Sequence, residues 1–123
     1  MAIAKSIKDL RTFLSERSNE RPIYMTSGGF DPLHVGHLRC IQETVAIAND
    51  PIQNPSNFRG LVVVVVNADS FLKRKKGYAF MPLEERMEII NAITGVDFVV
   101  PWETDGDQTV VDAIRILKPN YFT

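Results

Sequence analysis

A chain of 123 residues, 45% hydrophobic and 24% charged, fits one globular domain large enough to bury a core without disulfides or a structural metal. The formal net charge of -1 offers no positive field for nucleic acid, and the single cysteine, Cys40, excludes an internal disulfide and suits a reducing compartment. The longest apolar run, Leu61 to Val66, is too short to span a bilayer, and the early lysines are not followed by the apolar stretch of a secretory signal. A cytoplasmic protein with neither a membrane nor a nucleic-acid partner is expected.

The first segment, "SIKDLRTFLSERSNE", places Ile7, Leu10, Phe13 and Leu14 on one helical face, and Ser6 with Asp9 suggests a capping box. "RPIYMTSG" reads as a strand ending in glycine. The next helix begins near His34 and turns Leu38, Ile41, Val45 and Ala48 inward, with Cys40 read as a small hydrophobe among them. After the Asn- and Pro-rich loop "NDPIQNPSNFRG", "LVVVVVN" is apolar on both faces, the pattern of a buried parallel strand. "ADSFLKRKKGYAF" is a basic irregular segment, and "MPLEERMEIINAI" a helix with Pro82 in its first turn and Leu83, Met87 and Ile90 inward. "GVDFVVPW" is a third strand, "DGDQTVVDAIRILKP" a helix with Val110, Val111, Ile114 and Leu117 inward, and "NYFT" starts a fourth strand. The order α-β-α-β-α-β-α-β implies a parallel sheet covered on both faces, with ligands at the carboxyl ends of its strands.

The stretch "GGFDPLHVGH", Gly28 to His37, lies at that edge and holds both histidines of the chain. It is neither a dinucleotide-binding glycine fingerprint nor a Walker A loop. His34 and His37, three apart at a helix start, share a face beside free backbone N–H groups and the positive end of the helix dipole, a setting that favours an anion. Gly36 between them would let a base or sugar approach the backbone. A surface pair and a two-histidine metal site are the rival readings; the metal site would need a third ligand such as Asp31.

The same decamer resembles the G-x-F-D-x-x-H-x-G-H signature of the cytidylyltransferase-like nucleotidyltransferases. "NADSFLKRKKG" is similar to the N-S-D-x-x-x-K-R-x-K-G stretch of heptose-phosphate adenylyltransferases. "MPLEERMEIINAITGVDFVVPW" is similar to the P-x-x-x-R and V-D-x-V-V-P elements of those enzymes and of glycerol-3-phosphate cytidylyltransferases. The resemblance runs from Pro22 onward and implies a three-layer α/β/α, Rossmann-like (HUP-type) parallel sheet. It implies transfer of a nucleotidyl group from ATP or CTP to a small phosphorylated sugar or alcohol, with release of pyrophosphate. The implied catalytic groups are His34, His37 and Lys73, and the implied nucleotide-binding residues Gly28, Gly29, Phe30, Asp31, Gly36, Lys76 and Arg86. Asp69 would approach the acceptor, and Mg²⁺ would be held mainly by the triphosphate rather than by a protein cage.

Several of these residues carry a second reading. Phe30 and Trp102 also read as packing, Asp31 as a metal ligand or a cap of the histidine helix, and Asp69 as a turn former. Lys73 and Lys76 also read as a solvated basic loop, Arg74 as solvent-facing, and Arg86 as a loop tie or a partner of nearby glutamates. Two features depart from the family pattern: a longer loop from Asn49 to Gly60, and an end at Thr123 ahead of the family's next nucleotide-closing segment. One nucleotidyltransferase domain over residues 1–123, incomplete at its carboxyl end, is therefore expected, with homodimer formation left open. A non-catalytic nucleotide-binding module is the alternative, and a flavodoxin-like carrier shares the architecture without needing paired histidines.

Overall fold

The computed structural model describes residues 2–16, 21–55, 59–69, 80–102 and 110–122. The elements in chain order are β1 (Ala2–Ile3), α1 (Ile7–Glu16), β2 (Ile23–Gly28), α2 (Val35–Asn49), β3 (Leu61–Asn67), α3 (Leu83–Asn91), β4 (Phe98–Trp102), α4 (Val110–Leu117) and β5 (Tyr121–Phe122). The strands form one sheet in the order β1-β4-β3-β2-β5, and every pairing is parallel.

The valine run of β3 explains the three layers. Side chains alternate between the faces of a strand, so a run apolar on both faces needs cover on both. Val63 and Val65, with Ile23, Met25 and Val100, pack against Leu10 and Leu14 of α1 and Ala113 and Leu117 of α4. Val62, Val64 and Val66, with Tyr24 and Val99, pack against Ile41 and Ala48 of α2 and Met87 and Ile90 of α3. Burying a valine fully stabilises by roughly 1.5–3 kcal/mol, so the fully buried stretch Val62 to Val66 anchors both layers.

Right-handed crossovers determine which helix covers which face. The steps β2 to β3 to β4 run one way across the sheet and place α2 and α3 on one face. The chain then reverses and passes β2 to reach β5, which places α4 on the other face. β2 is therefore the strand at which the order reverses, and its carboxyl end opens onto the crevice where such sheets bind ligands.

Side chains finish the strand and helix ends. The Ser6 hydroxyl accepts the Asp9 N–H at 3.1 Å and caps α1. Asn120 exchanges two bonds with Ile23, donating its N–H to the carbonyl and accepting the N–H at Oδ1, each at 2.8 Å, and so seats β5 on β2.

Four local expectations need correction. A two-residue strand, β1, precedes α1, so the chain opens on a strand. Phe13 lies at the margin of its helix, edge-on to Phe98 with ring centroids 5.8 Å apart, and is partly exposed. Val111 is exposed because it stands two residues before the buried Ala113, about 200° around the helix. Cys40 is exposed as well, to one side of the inward stripe formed by Ile41, Thr44 and Ala48. Among the described residues no helix is long and apolar enough to cross a membrane.

Candidate functional site

β2 ends at Gly28, in register with Val66 of β3. The chain then turns sharply: Phe30 adopts a left-handed backbone with φ 53° while its ring is buried. Such a backbone costs an ordinary residue about 1–2 kcal/mol, which burial of an aromatic ring can offset. Gly28 makes the fold-back possible, since a Cβ there would come within 3.2 Å of the Phe30 ring. The Phe30 ring lies edge-on to His37 with centroids 5.3 Å apart. Its side chain therefore forms the underside of the histidine turn.

His34 is the N-cap of α2, a position usually held by Ser, Thr, Asp or Asn. Its Nδ1 accepts the Gly36 N–H at 3.0 Å, and Nδ1 of His37 accepts the His34 N–H at 3.3 Å. The two rings stack with centroids 3.9 Å apart and planes 24° from parallel. A neutral imidazole that accepts at Nδ1 carries its proton on Nε2, so His34 is set up as an Nε2–H donor.

This arrangement revises one expectation and adds to another. Two amides at the start of the helix are taken up by the imidazoles rather than standing free. Gly36 is needed for His34 itself: a Cβ at position 36 would lie 2.9 Å from Cε1 and 3.0 Å from Nδ1 of that ring. Burial, and then the neighbouring His34, lower the pKa of His37, with the Pro32 backbone opposing the shift. The shift favours the neutral form of His37.

Beneath the turn lies a set of ties that local sequence patterns do not reveal. Asp31 does not cap α2, whose N-cap is His34; its Oδ2 accepts the Phe80 N–H and its Oδ1 the Met81 N–H, each at 2.7 Å. Arg86 of α3 is fully buried. Its Nε donates to the Met81 carbonyl at 2.9 Å, its Nη1 to the carbonyls of Gly29 and Asn67 at 2.7 Å each, and its Nη2 to Asp69. The other oxygen of Asp69 faces the Leu83 N–H at 3.5 Å, the first residue of α3. Asp69 and Arg86 thus face each other, and the guanidinium is committed to the backbone of the turn and of β3.

A sequence signal for this role existed. Arg86 falls three residues after Leu83 and four before Ile90, inside the inward stripe of its helix, where a cation must find buried partners. Lys73 and Lys76, with Arg74, lie outside the described residues. Among the described residues no group of three or more His, Cys, Asp or Glu could hold a metal ion. A separate cavity of about 470 Å³, lined by Ser6, Trp102, Asp112 and Arg115 among others, opens at the carboxyl end of β4 and includes neither histidine.

Fold and site together define a doubly wound parallel α/β domain with a glycine-histidine turn at its switch point. The profile of the cytidylyltransferase-like family matches residues 25–123, and the chain belongs to that family. It is 34% identical over 97 residues to the bifunctional protein HldE of Photorhabdus laumondii, a match covering 77% of this chain and 18% of the relative. The HldE protein of Yersinia pestis (strain Pestoides F) matches to the same extent. The chain therefore spans under a fifth of the length of these curated relatives. The fold is shared with a lipopolysaccharide core biosynthesis protein from Thermoplasma volcanium, at a TM-score of 0.59 and 23% identity, covering 80% of this chain and 69% of that one.

Proposed function

We propose that the protein is a nucleotidyltransferase that joins ATP or CTP to a small phosphorylated acceptor. An oxygen of the acceptor phosphate attacks the α-phosphorus in line. A new P–O bond forms, the bond from the α-phosphorus to the oxygen bridging to the β-phosphate breaks, and pyrophosphate leaves with that electron pair. The attacking phosphate is already ionised, so the chain need not supply a general base.

Its task is positioning and the stabilisation of charge developing on phosphate oxygens. His34 and His37 serve as hydrogen-bond donors to those oxygens, and Lys73 and Lys76 supply point charges. A Mg²⁺ ion carried by the triphosphate would supply charge neutralisation.

The observation that carries this reading is the pair of imidazoles stacked 3.9 Å apart at the switch point, with Nδ1 of each engaged by backbone. The resemblance of "NADSFLKRKKG" favours ATP and a sugar phosphate as the first combination to try. The test is a pyrophosphate-release screen of the four nucleoside triphosphates against phosphorylated sugars and phosphorylated alcohols. Release that requires one triphosphate and one acceptor class supports the proposal. Silence across the whole matrix, with no nucleotide binding by calorimetry, refutes it.

A further inference from the structure

We infer that Asp31 is a positioning residue that locks the histidine turn onto the start of α3 and acts on the chemistry only through that lock. The inference rests on the nucleotidyl-transfer reading for its consequence and on the geometry alone for the lock. Two ties run in opposite directions between the same two segments. The side chain of Asp31, in the turn, holds the backbone of Phe80 and Met81 ahead of α3. The side chain of Arg86, in α3, holds the backbone of the turn at Gly29 and of β3 at Asn67.

Because each segment grips the other's main chain, neither can shift without breaking bonds at both ties. Between these anchors stands Phe30, directly before Asp31, with its ring against His37. Movement of Asp31 is therefore transmitted within one residue to the packing of a reactive imidazole.

The carboxylate suits this task. An ionised carboxylate only accepts, and its two oxygens meet two successive N–H groups at 2.7 Å each. Asparagine has the same shape but offers one acceptor and turns an NH₂ group toward the other N–H.

The experiment has two parts. In the unsubstituted chain without nucleotide, the Phe80 and Met81 amides are expected to exchange with solvent at least about tenfold more slowly than unbonded backbone, as charge-assisted bonds require. In Asp31→Asn the protection falls by about tenfold or more, and the ring signals of His34 and His37 shift although neither histidine has been altered. In turnover assays kcat falls at least about tenfold, while the nucleotide KM and the Mg²⁺ concentration for half-maximal rate stay within about threefold.

Histidine signals that stay in place in a folded Asp31→Asn protein overturn the lock. A Mg²⁺ requirement raised about tenfold or more instead makes Asp31 a metal ligand. If Asp31→Asn does not fold, the exchange rates of the unsubstituted chain decide: fast exchange at Phe80 and Met81 overturns the inference. If the unsubstituted chain neither binds nucleotide nor releases pyrophosphate, the proposed function fails, while the exchange rates and histidine spectra still judge the lock.

Discussion

Two arginine–aspartate pairs stand at opposite ends of this sheet. At the amino ends of β3 and β4, Arg59 meets Asp97 through two bonds of 3.1 and 2.7 Å, with the arginine side chain 41% exposed. Asp97 also accepts the Val62 N–H at 2.8 Å, so the pair braces two strands at the water's edge. The hydrogen bond to Asp97 raises the pKa of the Arg59 guanidinium, partly opposed by burial. At the carboxyl ends, Arg86 meets Asp69, but this guanidinium is fully buried and also bonded to three backbone carbonyls. The same two residue types thus staple an exposed corner in one place and support a reactive turn in the other. What separates them is the environment: a buried cation stripped of water must satisfy its donors, and here it does so on the turn that carries the histidines.

Removing the buried arginine has the largest expected effect. Arg86→Met leaves three carbonyls and Asp69 without their partner and should cost about 3–5 kcal/mol in urea unfolding. A cost below about 1 kcal/mol would mean that the two pairs are equivalent, contrary to the comparison.

Next in size is Gly36→Ala, which probes the turn itself. The added methyl competes with the His34 ring, whose atoms lie 2.9 and 3.0 Å from it. Removing a preorganised donor of this kind costs about 10²–10³ in turnover. Stability should change by no more than about 1 kcal/mol, because the helix preference of alanine, about 0.5–1 kcal/mol, is set against loss of the His34 cap. Turnover unchanged within about twofold would show that His34 need not occupy that position.

The turn also has a pH signature. The pKa of His37 is lowered on folding, so the unfolded chain binds the proton more readily. Its contribution to stability is present above the unfolded imidazole value of about 6.5 and is lost as pH falls toward the lower folded value. Urea midpoints of the unsubstituted chain and His37→Gln, compared between about pH 5 and 7.5, should diverge in that sense. Parallel curves would contradict the assignment.

The smallest effect belongs to the exposed corner. Arg59→Met should cost about 0.2–1 kcal/mol, and less still in high salt. A salt-independent loss of several kcal/mol would move this pair into the same category as Arg86.

The layers were legible because the valine run and the inward stripes of the helices are strong periodic signals, and the histidine turn was legible from residue chemistry at a strand-helix junction. What stayed hidden depends on residues far apart in sequence. The partners of Asp31 lie 49 and 50 positions away, so no local reading could choose among cap, metal ligand and lock. That Gly36 also leaves room for the His34 ring stayed hidden because nothing local shows which way that ring turns. The loop-tie reading of Arg86 is what the structure shows, but the carbonyls it finds belong to the turn and to β3 and were not legible locally. The two residues of β1 are too few to carry a period.

The central claim, that the turn closing β2 is the nucleotide site, is tested most directly by titrating the isotopically labelled chain with Mg-ATP and Mg-CTP and mapping the amide shifts. The account predicts that the largest shifts fall between Gly28 and His37, led by His34 and Gly36, with the Arg59 corner unmoved. Shifts centred instead on Trp102 and Arg115, around the cavity at the end of β4, would place the nucleotide elsewhere and contradict it.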